Sequence, residues 1–444
     1  MTAANPNRTG PGESGLRLPP ALRALRHRNF QLFFAGQLIS LVGTWMDTVA
    51  ESWLIYRLTG SSLLLGTVAF CSQIPVFLMA PIGGFAADKF NRRELVIATQ
   101  ATSMVLAGIL AVLTLTHKVQ VWHVMVLAAL LGVVNAFDIP ARQAFIFEMV
   151  GKEDLMNAIA LNSSMFNGAR VIGPAVAGIL VAKIGEGWCF AANSISYIAV
   201  ITGLLMMRVH RRQIAKTGSA LQNIREGFSF VKRTQPIRAL LLLLALTSVV
   251  GMPYAVLMPI FADRILHGGA RGLGLLMGAT GVGALLGALS LAAKNGLKGL
   301  GSWVAFANAG FGVSLICFSI SRNFWLSAVL LVPAGYCMMT QMASSNTLIQ
   351  AMVPDRLRGR VMAVYSMGFM GMAPIGALMA GVVADRIGAP WTVAIGGIVC
   401  IGGAAAFGYK LPAIRVTARQ LIIAQNLAGG DPQQEFNAPI AAAD

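Results

Sequence analysis

Charge is what this chain has least of. Asp, Glu, Lys and Arg make up 11% of its 444 residues, against about 25% in an ordinary soluble domain, while 56% are hydrophobic. That balance argues against a soluble globular fold and points to a membrane protein. Cysteine is also sparse. Cys71, Cys189, Cys317, Cys337 and Cys400 are scattered, odd in number and never in a CxxC pair, which leaves neither a disulfide framework nor a zinc site; they read as small buried apolar residues. There is no GKS/T phosphate loop, no HExxH and no GxSxG, so neither ATP drive nor an enzyme is expected. All five histidines sit near span ends or in loops, so no metal site is expected, and no cofactor either. Residues 1–28 are polar and rich in Pro, Gly and Arg, without a short apolar core before a small-residue cleavage site; no cleaved signal peptide is expected.

What the chain does have is long apolar runs. A helix needs about 20 residues to cross about 30 Å of hydrocarbon. About twelve stretches qualify, near 30–56, 64–86, 95–115, 121–138, 158–182, 190–207, 239–261, 273–293, 302–320, 324–346, 361–383 and 391–409. The longest polar interruption, 208–238, falls after the sixth and splits the chain into two sets of six. The expected organisation is an N-terminal segment 1–28, a six-helix bundle 29–208, a linker 209–236, a second bundle 237–411 and a tail 412–444. The tail, from about Arg415, carries Gly-Gly, Gln-Gln and Ala-rich stretches and is expected to be mobile. Within the linker, Leu221, Ile224, Phe228 and Val231 recur at helical spacing among bases. That pattern fits either a short amphipathic helix on the membrane surface or a solvated connector.

The net charge of +17 would by itself suit nucleic acid. Its distribution argues otherwise. With both termini on one side, most of the 34 Lys and Arg residues fall on that side, and the positive-inside tendency makes it the cytoplasmic one. The excess is a topology signal that also attracts anionic headgroups. The bilayer is the expected partner, and nucleic acid is not.

The two sets of six resemble each other. Gly173, Gly178 and Gly185 sit in GPAVAGILVAKIG of the fifth span; Gly376, Gly381 and Gly388 sit in GALMAGVVADRIG of the eleventh, 203 positions later. The polar loops before them, VGKEDL and VPDRLRGR, also correspond. Such a repeat predicts an all-α membrane protein of twelve transmembrane helices, built as two six-helix bundles related by a pseudo-two-fold axis, with a substrate path between them.

Between spans two and three lies GGFAADKFNRR (83–93). Gly84, Asp88, Lys89, Arg92 and Arg93 match the loop signature of the major facilitator superfamily, which the chain resembles; Asn91 replaces the second glycine and is expected to keep the tight turn, since Asn tolerates a left-handed backbone. The resemblance implies a conformational gate. Asp88 would meet the start of span eleven, where Arg356, Arg358 and Arg360 lie, when the transporter faces outward, a contact favoured by the helix dipole. Arg92 or Arg93 would pair with Asp138, near Arg142, at the cytoplasmic end of span four, and Gly84 would allow close helix approach. An ordinary topology-setting charge cluster is the competing explanation. HRNFQLFFAGQLIS (27–40), NAFDIPARQAF (135–145), NGARVIGPAVAGIL (167–180) and VPDRLRGRVMAVYS (353–366) make the chain most similar to the bacterial exporter branch that contains the enterobactin exporter and macrolide efflux proteins. Gly173, Pro174 and Gly178 keep the core of a span-five pattern typical of antiporters, although Ala177 replaces one of its glycines. Physically, these small residues permit tight helix packing, and Pro174 weakens the helix ladder.

The charges inside the spans carry the sharper chemical question. Asp47 and Glu51 form an i, i+4 pair on span one, and Arg170 lies near the middle of span five. Each such group costs about 2.5–3.5 kcal/mol or more in the bilayer, so it faces a cavity, a partner or a substrate path. A carboxyl deprived of water favours its protonated form, which makes Asp47, with Glu51, the candidate for proton coupling. Arg170 stays charged and serves either as the counter-ion in an Asp47–Arg170 bridge or as an anchor for an anionic substrate. Gln37, Ser40, Asn135, Asn162, Asn167, Asn193, Tyr197, Gln341 and Asn346 are candidates to line the path or to bond between helices. Met338, Met339 and Met342 offer a pliable lining.

The expected function is secondary active export of small hydrophobic or amphipathic compounds, of drug or siderophore type, by a monomer in the bacterial inner membrane exchanging substrate for protons. The alternatives are an importer or facilitator of an anionic metabolite, and a lipid-handling protein without ion coupling.

Overall fold

The computed structural model describes residues 20–151, 153–207, 220–294 and 296–428. Twelve helical segments among them are long and apolar enough to cross a membrane. The first six are α1 (Arg28–Thr59), α2 (Ser62–Lys89), α3 (Arg92–Leu115), α4 (Val121–Val150), α5 (Leu155–Ile184) and α6 (Glu186–Met206). A shorter helix, α7 (Ala220–Arg233), precedes the second set. Span seven combines α8 (Gln235–Leu246) and α9 (Met258–Ile260); α10 (Gly269–Ala292), α11 (Leu300–Ile320) and α12 (Phe324–Met352) follow. Span eleven is α13 (Asp355–Met370) plus α14 (Ala373–Ile387), and α15 (Ala389–Ala428) completes the set.

Two spans expected to be continuous are broken. In span seven the α-helix gives way between Leu246 and Met258 to wider and tighter turns. Gly251, Pro253 and Pro259 lie in or beside that stretch, and each proline removes a backbone donor. Span eleven breaks at Gly371–Met372, where a Cβ on Gly371 would come within 2.3 Å of the Phe77 ring of α2. At the other end of the chain, α15 continues past Arg415 to Ala428, where a mobile tail is expected from composition. Leu421 and Ile422 on that extension pack against the C-terminal core.

The pairing of helices repeats. In the first half α2 packs on α4, α3 on α4 and α6, and α1 on α5 and α6; in the second half α10 packs on α12, α11 on α12 and α15, and span seven on α14 and α15. The halves meet most extensively where α5 packs on α10 and α2 on α14. Glycine makes both crossings possible. A Cβ on Gly274 would sit 2.4 Å from the Pro174 carbonyl oxygen and 2.7 Å from the Gly178 Cα; one on Gly66 would sit 2.5 Å from the Ala377 carbonyl oxygen and 3.0 Å from the Gly381 Cα. Gly185 and Gly388 close the two equivalent helices with φ of 90° and 85°, backbone that favours glycine. The repeat extends to Trp122 and Trp325, and to Trp188 and Trp391, all exposed at helix starts on the face away from the chain ends, where amphipathic rings sit at headgroup level.

The apolar cores are distributed unevenly across the thickness. On the far face one core takes side chains from both halves, including Leu54, Val181, Tyr254, Leu273 and Ala380. On the face carrying the chain ends the halves keep separate cores, around Phe30, Phe33 and Phe145 in one and Ile237, Leu240 and Val361 in the other. The bundle is therefore closed on the far face.

Cys189 and Cys400 are buried as expected, whereas Cys317 is exposed on the helix surface. Inside the second half, Gln341 Nε2 donates to Thr247 Oγ1 at 3.0 Å, Thr247 Oγ1 to Asn308 Oδ1 at 2.7 Å, and Asn308 Nδ2 to the Cys400 carbonyl at 2.8 Å. This buried chain ties four spans together. Asn308→Ala is expected to cost about 1–2 kcal/mol, read as a lower thermal midpoint of the detergent-purified protein.

Candidate functional site

The loop after α2 is shaped differently from expectation. Asn91 has φ −63°, outside the left-handed region, and caps α3 by accepting from the Arg93 and Glu94 amides. Gly83, rather than Gly84, supplies the close approach: a Cβ on Gly83 would lie 1.8 Å from the Ala136 carbonyl oxygen of α4, whereas one on Gly84 meets nothing within 4 Å. Arg92 pairs with Glu148 at 2.9 Å and Arg93 donates to the Leu204 and Leu205 carbonyls; neither reaches Asp138. That carboxylate is instead fully engaged, accepting from Thr99 at 2.8 Å and Gln100 at 2.9 Å and pairing with Arg142 at 3.1 Å.

Asp88 is 44% exposed and lies 3.6 Å from Arg92, with no ion pair to span eleven among the described residues. Lys89 rests against the Phe85 and Phe90 rings. Arg358 pairs with Asp355 at 2.5 Å, Arg360 with Glu226 of α7, and Arg356 is exposed. The linker helix α7 thus docks on α13, with Gly227 against the Arg360 carbonyl and Val231 in the C-terminal core. Phe228 stays exposed; the side chains of Leu221 and Ile224, and Arg208, Arg211, Arg212 and Lys216, lie outside the described residues. On the same face His27 Nε2 and Arg26 reach Asp154 at 2.8 Å, and these two contacts hold its carboxyl below the ordinary range.

On the far face the halves are tied by Tyr56 Oη donating to Asp263 Oδ2 at 2.7 Å, with the Arg264 guanidinium over the Tyr56 ring at 5.7 Å. Tyr56→Phe removes this bond, worth about 0.5–1.5 kcal/mol. It is expected to raise labelling of a far-face cysteine from outside by a few fold.

The cleft between these layers belongs mainly to the first half. Thr44, Asp47, Thr48 and Glu51 recur at i, i+3, i+4 and i+7, one face of α1, and line it together with Ser72, Gln73 and Val76 of α2. Ala128, Leu131, Gly132, Asn135 and Ile139 of α4 form another wall, Asn193 and Tyr197 of α6 the back, and Met370 of α13 comes from the other half. The cavity volume is about 280 Å³. A narrow crevice with room for about one water molecule lies behind Asp47 and Glu51 among α1, α3, α4 and α6, with an apolar wall that includes Leu106, Leu110, Val124 and Leu127. Asp47 is 7% exposed and its Oδ1 has no hydrogen-bond partner. An oxygen so placed carries an uncompensated cost; Asp138, by contrast, is satisfied on both oxygens.

The other candidates are placed apart from this cleft. Arg170 does not meet Asp47: its guanidinium lies 5.5 Å from the centre of the Trp45 ring, and Trp45 points away from the Asp47 face of α1. Gln341 belongs to the structural chain above. Asn167 donates to the Ser163 carbonyl of its own helix, and Asn346 accepts from Gln350. Gln37 and Ser40 are buried, Gln37 with an unpartnered Oε1, and, like Asn162, Met338, Met339 and Met342, do not line the cleft. Thr44 and Thr48 share the face of Asp47 and were readable from helical spacing. Ser72 and Gln73 interrupt an apolar run but carry no pattern, and Met370 is brought in by the second half.

Two six-helix repeats joined by glycine crossings, closed on one face around a polar cleft, define a membrane transporter of the major facilitator type. The transmembrane secretion effector family matches residues 20–430, and the chain belongs to that family. It is 24% identical over 372 residues to the staphyloferrin A transporter of Staphylococcus aureus (strain NCTC 8325 / PS 47), covering 83% of this chain and 93% of that one. It is 27% identical over 368 residues to the multidrug efflux pump Tap of Mycolicibacterium fortuitum, covering 80% and 89%. The crystal structure of the nucleoside transporter NupG superposes with a TM-score of 0.66 at 12% identity, over 88% of this chain and 99% of that one, a likeness of fold. The chain is a multi-pass membrane transporter for small molecules, of the efflux branch, and not an enzyme.

Proposed function

We propose that this transporter exports small hydrophobic or amphipathic compounds across the bacterial inner membrane in exchange for inward-moving protons, working as a monomer with both termini in the cytoplasm. The observation that carries this reading is Asp47, nine-tenths buried with a free carboxylate oxygen, next to Glu51 in the cleft. With the termini inside, the far face is periplasmic and the closed far core makes this the inward-facing state. Substrate enters from the cytoplasmic side, the halves rock, the two glycine crossings open, and a proton taken up by Asp47 from outside displaces the substrate. In the outward-facing state Asp88 meets the start of α13, a contact open in this one. The anion-importer reading loses its anchor because Arg170 stands at Trp45, outside the cleft lining.

The test uses proteoliposomes with an imposed pH gradient and a panel of amphipathic dyes, with an internal pH indicator. Substrate movement that speeds with the gradient and moves protons the opposite way supports antiport. Movement that ignores the gradient removes it.

A further inference from the structure

We infer that one water in the crevice among α1, α3, α4 and α6, bound by Asp47, Ser103 and Tyr197, opens a proton route from Asp47 through the interior of the first bundle to its cytoplasmic end, separate from the substrate cleft. This rests on the export reading above and adds the proton's path to it.

The crevice has room for about one water molecule, and Asp47, Ser103, Asn193 and Tyr197 line it among apolar side chains. A buried water makes about three hydrogen bonds, to groups that otherwise lack partners. Asp47 offers such a group: Asn193 bonds its carboxyl, yet Oδ1 has no partner in the protein. The other two bonds come from hydroxyls. Ser103 is buried, and the Tyr197 hydroxyl meets both Ser103 and Thr44. The ionisable groups lining the crevice are Asp47, Glu51 and Tyr197, with none from α3 or α4.

The polar side chains continue beyond the crevice. Gln100 lies one turn before Ser103 on α3, is equally buried, and donates from Nε2 to Asp138 at 2.9 Å while its Oε1 has no partner. Asp138 in turn pairs with the partly exposed Arg142. An acceptor buried without a partner costs the full desolvation of that group, and water completes both of those found here, at Asp47 and Gln100. The second bundle also has a buried polar chain, but its Gln341, Thr247, Asn308 and Cys400 groups answer one another and serve to join helices.

Cargo makes a separate route necessary. Asp47 lines the cleft as well as the crevice, and a compound filling a cavity of about 280 Å³ displaces the cleft water through which the carboxyl would otherwise lose its proton. In the crevice the Asp47 proton passes to the water as one of the water's own passes to the Ser103 or Tyr197 hydroxyl. That hydroxyl gives its proton to water at Gln100 Oε1, which passes one on to Asp138 and out beside Arg142. Each relay group ends with the protons it began with; Asp47 has lost one and the cytoplasm has gained one.

Hydrogen-deuterium exchange of the Asp47 carboxyl, followed by infrared spectroscopy of the purified full-length protein, tests the route without cargo or gradient. The protonated-carboxyl band to follow is the one missing in Asp47→Asn. The cleft is blocked by fluorescein maleimide on Gln73→Cys, a cleft-lining position, in a protein without its five native cysteines. Exchange should stay as fast in the blocked protein as in the unlabelled one. Adding Ser103→Ala to the blocked protein should slow it at least about tenfold, whereas Ser103→Thr, which keeps the hydroxyl, should not. Ser103→Ala with the cleft open should exchange normally, which separates loss of the route from loss of fold. Exchange that stops when the cleft is blocked, or that ignores Ser103→Ala in the blocked protein, overturns the inference. No such band at any pH means that Asp47 carries no proton and overturns the export reading as well. Gradient-driven dye movement in proteoliposomes tells the two apart. A coupled wild type whose blocked form does not exchange sinks this inference alone, and an uncoupled wild type with the exchange route intact sinks the export reading alone.

Discussion

Asp47→Asn is expected to abolish pH-gradient-driven export, lowering the initial rate in proteoliposomes at least about hundredfold, while the thermal midpoint of the purified protein stays level or rises. The rate falls because an amide cannot take up and release the proton that the cycle exchanges, which removes coupling rather than slowing it. Stability does not fall because the native carboxyl has an oxygen without a partner in a nearly dry site. Replacing a buried ionisable group that lacks a partner on one oxygen by a neutral isostere relieves a desolvation cost. Sites kept for function at the expense of stability behave in this way. Asp138→Asn should behave oppositely, losing stability because an NH2 donor replaces the oxygen that pairs with Arg142, although Oδ1 can still accept from Thr99 and Gln100. A destabilised Asp47→Asn protein that still exports with the gradient would reverse the assignment.

The second large effect is expected at the crossing of α5 and α10. In Gly274→Leu, the new Cβ falls 2.4 Å from the Pro174 carbonyl oxygen and 2.7 Å from the Gly178 Cα. Both are backbone atoms, so no side chain can swing aside. Overpacking of this kind costs about 1–3 kcal/mol, and it is paid only where the far face is closed. The population should therefore move about tenfold to hundredfold toward the far-open state. Spin labels at Lys118 and Arg322, exposed in far-face loops of the two halves, should report a longer distance distribution. Gly66→Leu should act similarly, since its Cβ would lie 2.5 Å from the Ala377 carbonyl oxygen at the equivalent crossing. An unchanged distance distribution in both variants would show that the crossings do not limit closure.

Much of the architecture was legible because it is one-dimensional information. Span length, the polar break after span six and the 203-residue glycine repeat are periodicities along the chain, and hydrocarbon thickness converts them directly into twelve helices in two sets. The repeat carried more than it first showed, since Trp122 with Trp325 and Trp188 with Trp391 keep the same offset. The candidate site was legible at Asp47, Glu51, Asn135, Asn193 and Tyr197, where a polar group in an apolar run has few alternatives to a cavity. Arg170 and Gln341 look just as conspicuous in the sequence. One is absorbed by an aromatic face and the other by an interhelical hydrogen-bond chain, and the sequence has no means of distinguishing a satisfied polar group from an unsatisfied one.

Sequence alone therefore determined the class, a twelve-span membrane transporter with a repeated half, because burial in lipid forces apolar runs of fixed length and leaves intramembrane charge as a rare, readable mark. Tertiary structure decided which of those charges lack partners, that Gly83 and not Gly84 carries the close approach, that Arg92 and Arg93 bind Glu148 and the end of α6 in place of Asp138, and which face is shut. Those outcomes depend on distances between helices far apart in the chain, and a hydrogen bond or a backbone contact exists only when two such surfaces are brought within a few ångströms.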